Sequence, residues 1–309
     1  MIVSNDKHCT FTKPIVTMGT FDGVHPGHLS LLKKLVERAR AIDGEAVVLT
    51  YYHHPLETLN LVTRPYLLTE KRLKEQLLRK AGVDSVLYLK FTPELSRMEP
   101  DEFLKSILLD KIKAREIVVG YDTHFGRNRR GNYYSLSAKA AENKFKVRLV
   151  APCRIGDVII SSSVIRNFLK QGDTVRAAKF LGRQYSVLGK VVHGFSIGSQ
   201  LGFPTINLEP EDPHKLIPAP GVYATRIKIG DTLYNSVTNI GVSPTVRSDE
   251  RVSIETFVLD FSEEIYHQNV ELVFYERLRS EKYFDSLAKL KEAIIADIAR
   301  VRKNCEFSE

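Results

Sequence analysis

The sequence predicts an α/β domain followed by a mainly β domain, and three observations carry the prediction. A length of 309 residues exceeds the usual size of one domain. Apolar strand-like runs alternate with helical stretches from Pro14 to about Val150. Near Arg183 the rhythm changes to short β-branched runs punctuated by Gly, Pro, Asn and Asp. The expected domains are 1–182 and 183–309.

In the first domain, "PIVTMGT" precedes the helical "GHLSLLKKLVERARAI" and the strand "EAVVLTYY". Helical "TEKRLKEQLLRKAG" then precedes "DSVLYLK", "PDEFLKSILLDKI" precedes "EIVVG", and "LSAKAAENK" precedes "FKVRLVA". Apolar strands alternating with helices require a doubly wound parallel sheet covered on both faces. After the helix-like "SSVIRNFLKQGDTVRAAKFL" come "SVLGKVVHG", "GVYATRIKI", "TLYNSVTNI", "RVSIETFVL" and "NVELVFYE". These read as an antiparallel sandwich or small barrel. "DSLAKLKEAIIADIARVRK" closes the chain as a helix, with Asp285 as the expected N-cap and Leu287, Leu290, Ile294 and Ile298 on one apolar stripe.

Apolar residues make up 43% of the chain and charged residues 27%, which excludes disordered and fibrous classes. The opening "MIVSNDKHCTFTKP" lacks the apolar run of a signal peptide, and no window reaches membrane-spanning length. The expectation is a cytoplasmic protein without a membrane partner. Cys9, Cys153 and Cys305 form no Cys-x-x-Cys pair, which argues against a disulfide framework or a thiolate zinc site. The net charge of +8 favours an anionic partner, either nucleic acid or a phosphorylated small molecule. The one local basic cluster is "GRNRRGN", and no long basic tail is present.

"TMGTFDGVHPGH" sets two histidines three residues apart where a strand hands over to a helix. Gly19, Gly23 and Gly27 let the backbone approach a ligand, and the first helical turn gathers free N–H groups at the positive end of the dipole. His25 and His28 add donors for phosphoryl oxygens. A zinc site lacks a third ligand, and the Gly-x-Gly-x-x-Gly spacing of a dinucleotide site is absent. "GTFDGVHPGH", with Gly19, Phe21, Asp22, His25, Gly27 and His28, resembles the first signature of the nucleotidylyltransferase superfamily. "ISSSVIR", with Ser162, Ser163 and Arg166, resembles its second, Ser163 standing for threonine. Arg166 suits bidentate capture of phosphate oxygens. "VVGYDTHFGRNRRGN" follows an apolar strand and resembles a segment of prokaryotic FAD synthetases, with Asp122, Phe125 and Gly126 matching and Thr123 replacing an aromatic residue. "YYHHPLETL" resembles the same family in part.

In the second domain, "GKVVHGFSIGSQLGFPTINL" carries Gly194, Gly198 and Gly202 in a strand–loop–strand suited to a phosphate-covering flap. Thr205 and Asn207, two apart, share a strand face and offer hard oxygen donors. The stretch closely resembles the signature of riboflavin kinases, with Ile206 for alanine and Ser199 at a position often basic. In "VSIETFVL", Ser253, Glu255, Phe257 and Leu259 share one face, so Glu255 lies among apolar groups that raise a carboxyl pKa and suit it to accept a proton. Arg279 and Phe284 in "LRSEKYF" match the kinase pattern near the flavin.

The resemblance spans nearly the whole chain. It implies a Rossmann-like nucleotidylyltransferase domain joined to a small antiparallel β-barrel of the riboflavin kinase type. The implied activity is phosphorylation of riboflavin by ATP to FMN, then adenylylation of FMN by ATP to FAD with release of pyrophosphate. Mg²⁺ held by Thr205 and Asn207 is the implied metal. In the implied roles His25, His28, Ser162 and Arg166 stabilise the adenylyl transition state, and Glu255 is the kinase base. A class I aminoacyl-tRNA synthetase also carries a His-x-Gly-His-like helix start, but the lysine-rich loop it requires is replaced by "ISSSVIR". A non-enzymatic nucleic-acid module would use "GRNRRG" as its contact patch; small-molecule partners are the expectation.

Overall fold

The computed structural model describes residues 2–4, 10–51, 66–193, 202–243 and 251–303. The chain divides into two compact units, Met1–Arg64 with Lys71–Ser161, and Pro65–Glu70 with Ser162–Glu309.

The first unit is built on a six-stranded sheet of β1 (Ile2–Ser4), β2 (Ile15–Met18), β3 (Ala46–Tyr51), β4 (Ser85–Leu89), β5 (Glu116–Gly120) and β6 (Lys146–Val150), in the order β1-β4-β3-β2-β5-β6. Every neighbouring pair is parallel. The crossovers carry α1 (Pro26–Arg40), α2 (Lys71–Lys80), the short α3 (Pro93–Arg97) and α4 (Pro100–Phe103), a π-helical continuation Leu104–Lys111, and α5 (Tyr133–Ala140). Strand periodicity divides the core in two. Ile15, Val48, Val86 and Val118 pack with Leu32 and Leu35 of α1, whereas Val16, Val47, Leu87 and Ile117 pack with Phe103, Leu108 and Leu136. A small antiparallel pair, β7 (Arg154–Ile155) and β8 (Val158–Ile159), precedes the second unit and was not apparent from the apolar pattern.

At the amino end of β5, Glu116 is buried and receives Arg38 Nε at 2.9 Å and Arg148 Nε at 3.0 Å. Burial by itself raises this carboxyl, yet hydrogen bonds from Arg38 and Arg148 outweigh it and hold the group below the ordinary glutamate range. After β5, the Phe125 N–H donates to the Gly131 carbonyl at 3.0 Å, and the Gly131 N–H returns the bond at 2.9 Å. A Cβ on Gly131 would stand 2.7 Å from the Phe125 ring, itself packed against Phe103 with centroids 5.5 Å apart. Gly131→Ala should therefore destabilise the protein by about 1–3 kcal/mol through overpacking. Urea denaturation measures this, and an unchanged midpoint would contradict the packing described.

The second unit is a closed barrel of β9 (Tyr185–Val192), β10 (Ile206–Pro210), β11 (Gly221–Ile229), β12 (Thr232–Ser243), β13 (Arg251–Val258) and β14 (Asn269–Arg279), in the order β10-β13-β12-β11-β14-β9. All pairs are antiparallel, and the pairing of β9 with β10 closes the sheet on itself, which decides between sandwich and barrel. The expected single helix after Ser161 is two, α6 (Ser162–Lys170) and α7 (Thr174–Leu181). Gly172, at φ 76°, breaks it, and Asp173 caps α7 by accepting the Arg176 N–H at 2.8 Å. Both helices belong to the barrel unit; Thr174 Oγ1, for instance, donates to the Tyr275 carbonyl of β14 at 2.9 Å. The compact-unit boundary thus precedes the change of rhythm at Arg183.

The closing helix α8 spans Leu287–Lys303. Its cap is Ser286, whose Oγ accepts the Lys289 N–H at 3.3 Å, while Asp285 pairs with the Lys289 ammonium at 2.8 Å. Leu287 is 65% exposed and lies off the apolar stripe. Ile298 and Val301 make the contact with Val222, Val237, Leu259 and Leu278 of the barrel unit.

Candidate active sites

Leaving aside the edge strand β1, the sheet order reverses between β2 and β5, the position where doubly wound folds leave a crevice at the strands' carboxyl ends. Both motif loops of this unit leave from those two strands: Gly19–His25 after β2, and Tyr121–Gly126 after β5. His25 is the N-cap of α1, its Nδ1 accepting the His28 N–H at 3.4 Å, and Pro26 fills the first helical position. The two imidazoles stack with centroids 3.7 Å apart and planes 15° apart, and the Phe21 ring lies 5.2 Å from that of His28. A Cβ on Gly27 would stand 3.2 Å from the His25 ring, so glycine lets the histidine lie along the helix start. Phe21 and Val24 have φ of 48° and 41°, a conformation disfavoured for bulky and β-branched residues. Their burial at 1% exposure holds that backbone in place. Asp22 is buried in the same turn.

Sequence reasoning missed Lys74 of α2, which is buried and donates to the Thr20 carbonyl at 3.1 Å. One lysine in a basic helix carries no signal that distinguishes it. Asp122 is exposed, whereas Phe125 is buried against Phe103 and shapes the loop from below. Thr123, where an aromatic residue was expected, closes the turn: its Oγ1 accepts the Gly120 N–H at 2.9 Å. Gly126 adopts φ 69°. Ile160 opens the second motif, and its carbonyl lies 3.7 Å from the Gly27 Cβ position. Its N–H bonds to the Cys153 carbonyl at 2.9 Å, and the Cys153 thiol reaches the Pro26 carbonyl at 3.7 Å. Ser162, Ser163 and Arg166 fall in the other unit, on the first turns of α6, where Arg166 Nε donates to the Tyr66 carbonyl at 2.8 Å. All of "YYHHPLETL" after Tyr51 lies outside the described residues.

On the barrel, Glu255 of β13 faces Asn207 of β10 on one side and Asn239 of β12 on the other. Directly opposed residues in an antiparallel sheet share a face with Cβ atoms about 4.5–5.5 Å apart. Asn207, Glu255 and Asn239 therefore form a row. Ile254, Thr256 and Val258 are buried, so Glu255 and Phe257 occupy the other face, as the alternation requires. Phe203 of the "FPT" stretch meets Phe257 edge-on at 5.6 Å. Burial raises the Glu255 carboxyl above the ordinary glutamate range. Gly198, with Gly194 and Ser199 of the expected flap, lies outside the described residues.

Arg279 and Phe284 adjoin, the guanidinium 5.5 Å from the ring centroid. That guanidinium is held by the buried Asp297 of α8, with Nε at 3.0 Å and Nη2 at 2.9 Å. Asp297 was not anticipated, although an acidic residue interrupting the stripe Leu290, Ile294, Val301 was a visible signal.

The chain's two halves match two family profiles: FAD synthetase over residues 8–164 and riboflavin kinase over residues 181–305. The bifunctional riboflavin kinase/FMN adenylyltransferase of Pseudomonas fluorescens is 35% identical over 93% of this chain and 92% of its own length. The protein of that description from Escherichia coli K12 is 32% identical, covering 94% and 92%. A crystal structure described as a macrolide-efflux protein from Streptococcus pneumoniae superposes with a TM-score of 0.88 at 29% identity, covering 98% of this chain and 99% of that one. Among the described residues no helix is long and apolar enough to cross a membrane. With both profiles matched in order and relatives above 30% identity aligned over more than nine-tenths of its length, the chain belongs to the bifunctional riboflavin kinase/FMN adenylyltransferase family.

Proposed function

We propose that this chain performs its family's two reactions, riboflavin kinase and FMN adenylyltransferase, at separate sites on unlike scaffolds. The functional division is residues 1–182 for adenylylation and 183–309 for phosphorylation. The supporting observation is the pairing of a histidine-capped helix start at a sheet's switch point with a half-buried carboxylate between two asparagines on a barrel.

In adenylylation a phosphate oxygen of FMN attacks the α-phosphorus of ATP and pyrophosphate leaves. His25 and His28, fixed by stacking and by the cap, present donors where negative charge grows, and α1 adds its positive dipole end. Gly19, Phe21, Asp22 and Gly27 shape the loop. Ser162, Ser163 and Arg166 are assigned phosphate contacts, and Asp122 and Gly126 contacts at the mouth of β5, while Phe125 supports that loop from the core. In phosphorylation the primary alcohol of riboflavin attacks the γ-phosphorus of ATP. Glu255 takes the hydroxyl proton as the bond forms, and ADP leaves. Arg279 and Phe284 are assigned to the flavin ring, and Gly198 to nucleotide binding.

Asn207, opposite Glu255, offers an amide oxygen, and Thr205 two residues before it a hydroxyl, donors that suit Mg²⁺. No group of three or more His, Cys, Asp or Glu among the described residues is arranged to hold a metal ion. Two neutral oxygens are too few to retain the ion alone, so Thr205 and Asn207 would hold Mg²⁺ already chelated by ATP phosphates. When bound, it neutralises phosphate charge. The test is incubation with riboflavin, ATP and Mg²⁺, separating FMN from FAD. Both products are expected, excess chelator should stop both reactions, and Mg²⁺ should restore them. FMN without FAD would remove the first site from the proposal, and full activity in chelator would remove the metal.

A further inference from the structure

We propose that Lys215, in the barrel-forming part of the chain, is a positioning residue for FMN adenylylation, acting through the segment 66–70 on Arg166. The inference rests on the reading above that Arg166 grips nucleotide phosphates.

Residues 66–70 lie in sequence between β3 and α2, yet they belong to the barrel unit. Leu67 pairs in parallel with Lys215. The N–H groups of Tyr66 and Leu67 both donate to the His214 carbonyl at 2.8 Å, and the Leu216 N–H donates to the Leu67 carbonyl at 2.9 Å. Beneath these bonds the Lys215 ammonium donates to the Leu68 carbonyl and to Glu70 Oε2, each at 2.8 Å, and sits 4.5 Å over the Tyr185 ring. The other carboxylate oxygen of Glu70 accepts the Leu188 N–H of β9 at 2.9 Å. The Lys215 and Glu70 side chains are 0% and 1% exposed. A buried pair of opposite charges with several further hydrogen bonds tolerates little displacement, because any movement leaves a charge without its partner in a medium of low polarity. Residues 66–70 are therefore pinned from below by one lysine.

Arg166 Nε donates to the Tyr66 carbonyl at 2.8 Å. A bond at Nε fixes one edge of the guanidinium and so sets the plane in which the terminal nitrogens lie. Phosphate capture by a fork of N–H groups depends on that plane. Arg183 adds a second tie to the segment, its Nη2 donating to Thr69 Oγ1 at 3.2 Å. The chain of contacts runs from the Lys215 ammonium to the Leu68 carbonyl and Glu70, along the backbone to the Tyr66 carbonyl, and so to the guanidinium. A change at Lys215 or Glu70 thus tilts a group that the adenylyl reaction uses, without touching the face of the barrel that carries Glu255.

The test is a double-mutant cycle in the full-length protein, using Lys215→Met and Arg166→Ala, with both activities measured. In Lys215→Met the KM for ATP in adenylylation should rise about tenfold or more, while kinase kcat/KM stays within about threefold. In the Arg166→Ala background the same substitution should add less than about twofold, because its effect passes through the missing side chain. Multiplicative losses, equal loss of both activities, or no loss in adenylylation would each overturn the inference. If Arg166→Ala alone leaves adenylylation intact, the phosphate reading of Arg166 fails, and the inference with it. A full loss in Arg166→Ala with none in Lys215→Met sinks only the inference. Should Lys215→Met fail to give folded protein by circular dichroism, Glu70→Gln, which keeps the volume and removes the charge, supports the same comparison with the same outcomes.

Discussion

Replacing His28 by alanine is expected to lower FMN adenylylation by about 10²–10³-fold, the cost of one lost donor to a developing oxyanion, while FMN formation from riboflavin continues at the wild-type rate. The size follows from the geometry at the start of α1. His28 stacks at 3.7 Å on His25, which is anchored as the N-cap, so the imidazole is preorganised and binding need not order it. Removing the ring also takes away the surface against which His25 lies, so the neighbouring donor loses its orientation. Supplying FMN and ATP and following FAD isolates the step, and supplying riboflavin measures the kinase in parallel. Unimpaired FAD formation would remove the histidine pair from the chemistry. Equal loss of both products would show that the substitution damages the fold instead.

Glu255→Gln should produce the opposite pattern, with riboflavin phosphorylation lowered about 10²–10⁴-fold, the range for a lost general base, and adenylylation of supplied FMN retained. Burial raises the Glu255 carboxyl, and the base works only when deprotonated. Wild-type kinase activity should therefore fall on acidification at a pH above that of an ordinary glutamate, and the variant's residual activity should lack this limb. Stability carries the opposite sign. For a carboxyl whose folded pKa is raised, the stabilising contribution is present below the unfolded pKa and is lost as pH rises through the folded pKa. The charged form is thus a burden on the fold at neutral pH, and Glu255→Gln should keep or slightly raise the Tm there. A lower Tm at neutral pH would indicate a structural role for the carboxylate. Retained phosphorylation would take the base role from it.

The helix-start site was legible because its signal is local. "GTFDGVHPGH" puts a cap, a proline at the first helical position and a close-approach glycine within ten consecutive residues, and each acts on its immediate neighbours. The face assignment on β13 was legible for the same reason, since alternation depends only on strand period. Other features depend on partners distant in sequence. Asp297 reads as a fault in an apolar stripe until Arg279 is found to hold it at 2.9 Å. The cap of α8 fell to Ser286 where Asp285 was expected, because a hydroxyl and a carboxylate one residue apart both suit the role and only the local backbone path chooses.

By itself the sequence determined the class of each half and most of the strand and helix order, because hydrophobic period and turn chemistry act over a few residues. Only the tertiary structure decided that the second half closes as a barrel, that α6, α7 and residues 66–70 pack with it, and that Glu255 stands between Asn207 and Asn239. Lys215 and Glu70 are 145 positions apart, and no local pattern selects one charged residue from 45 basic and 37 acidic ones as the partner of another. Their pairing follows from the need to satisfy buried charge and backbone groups together, a condition set by the packed chain as a whole.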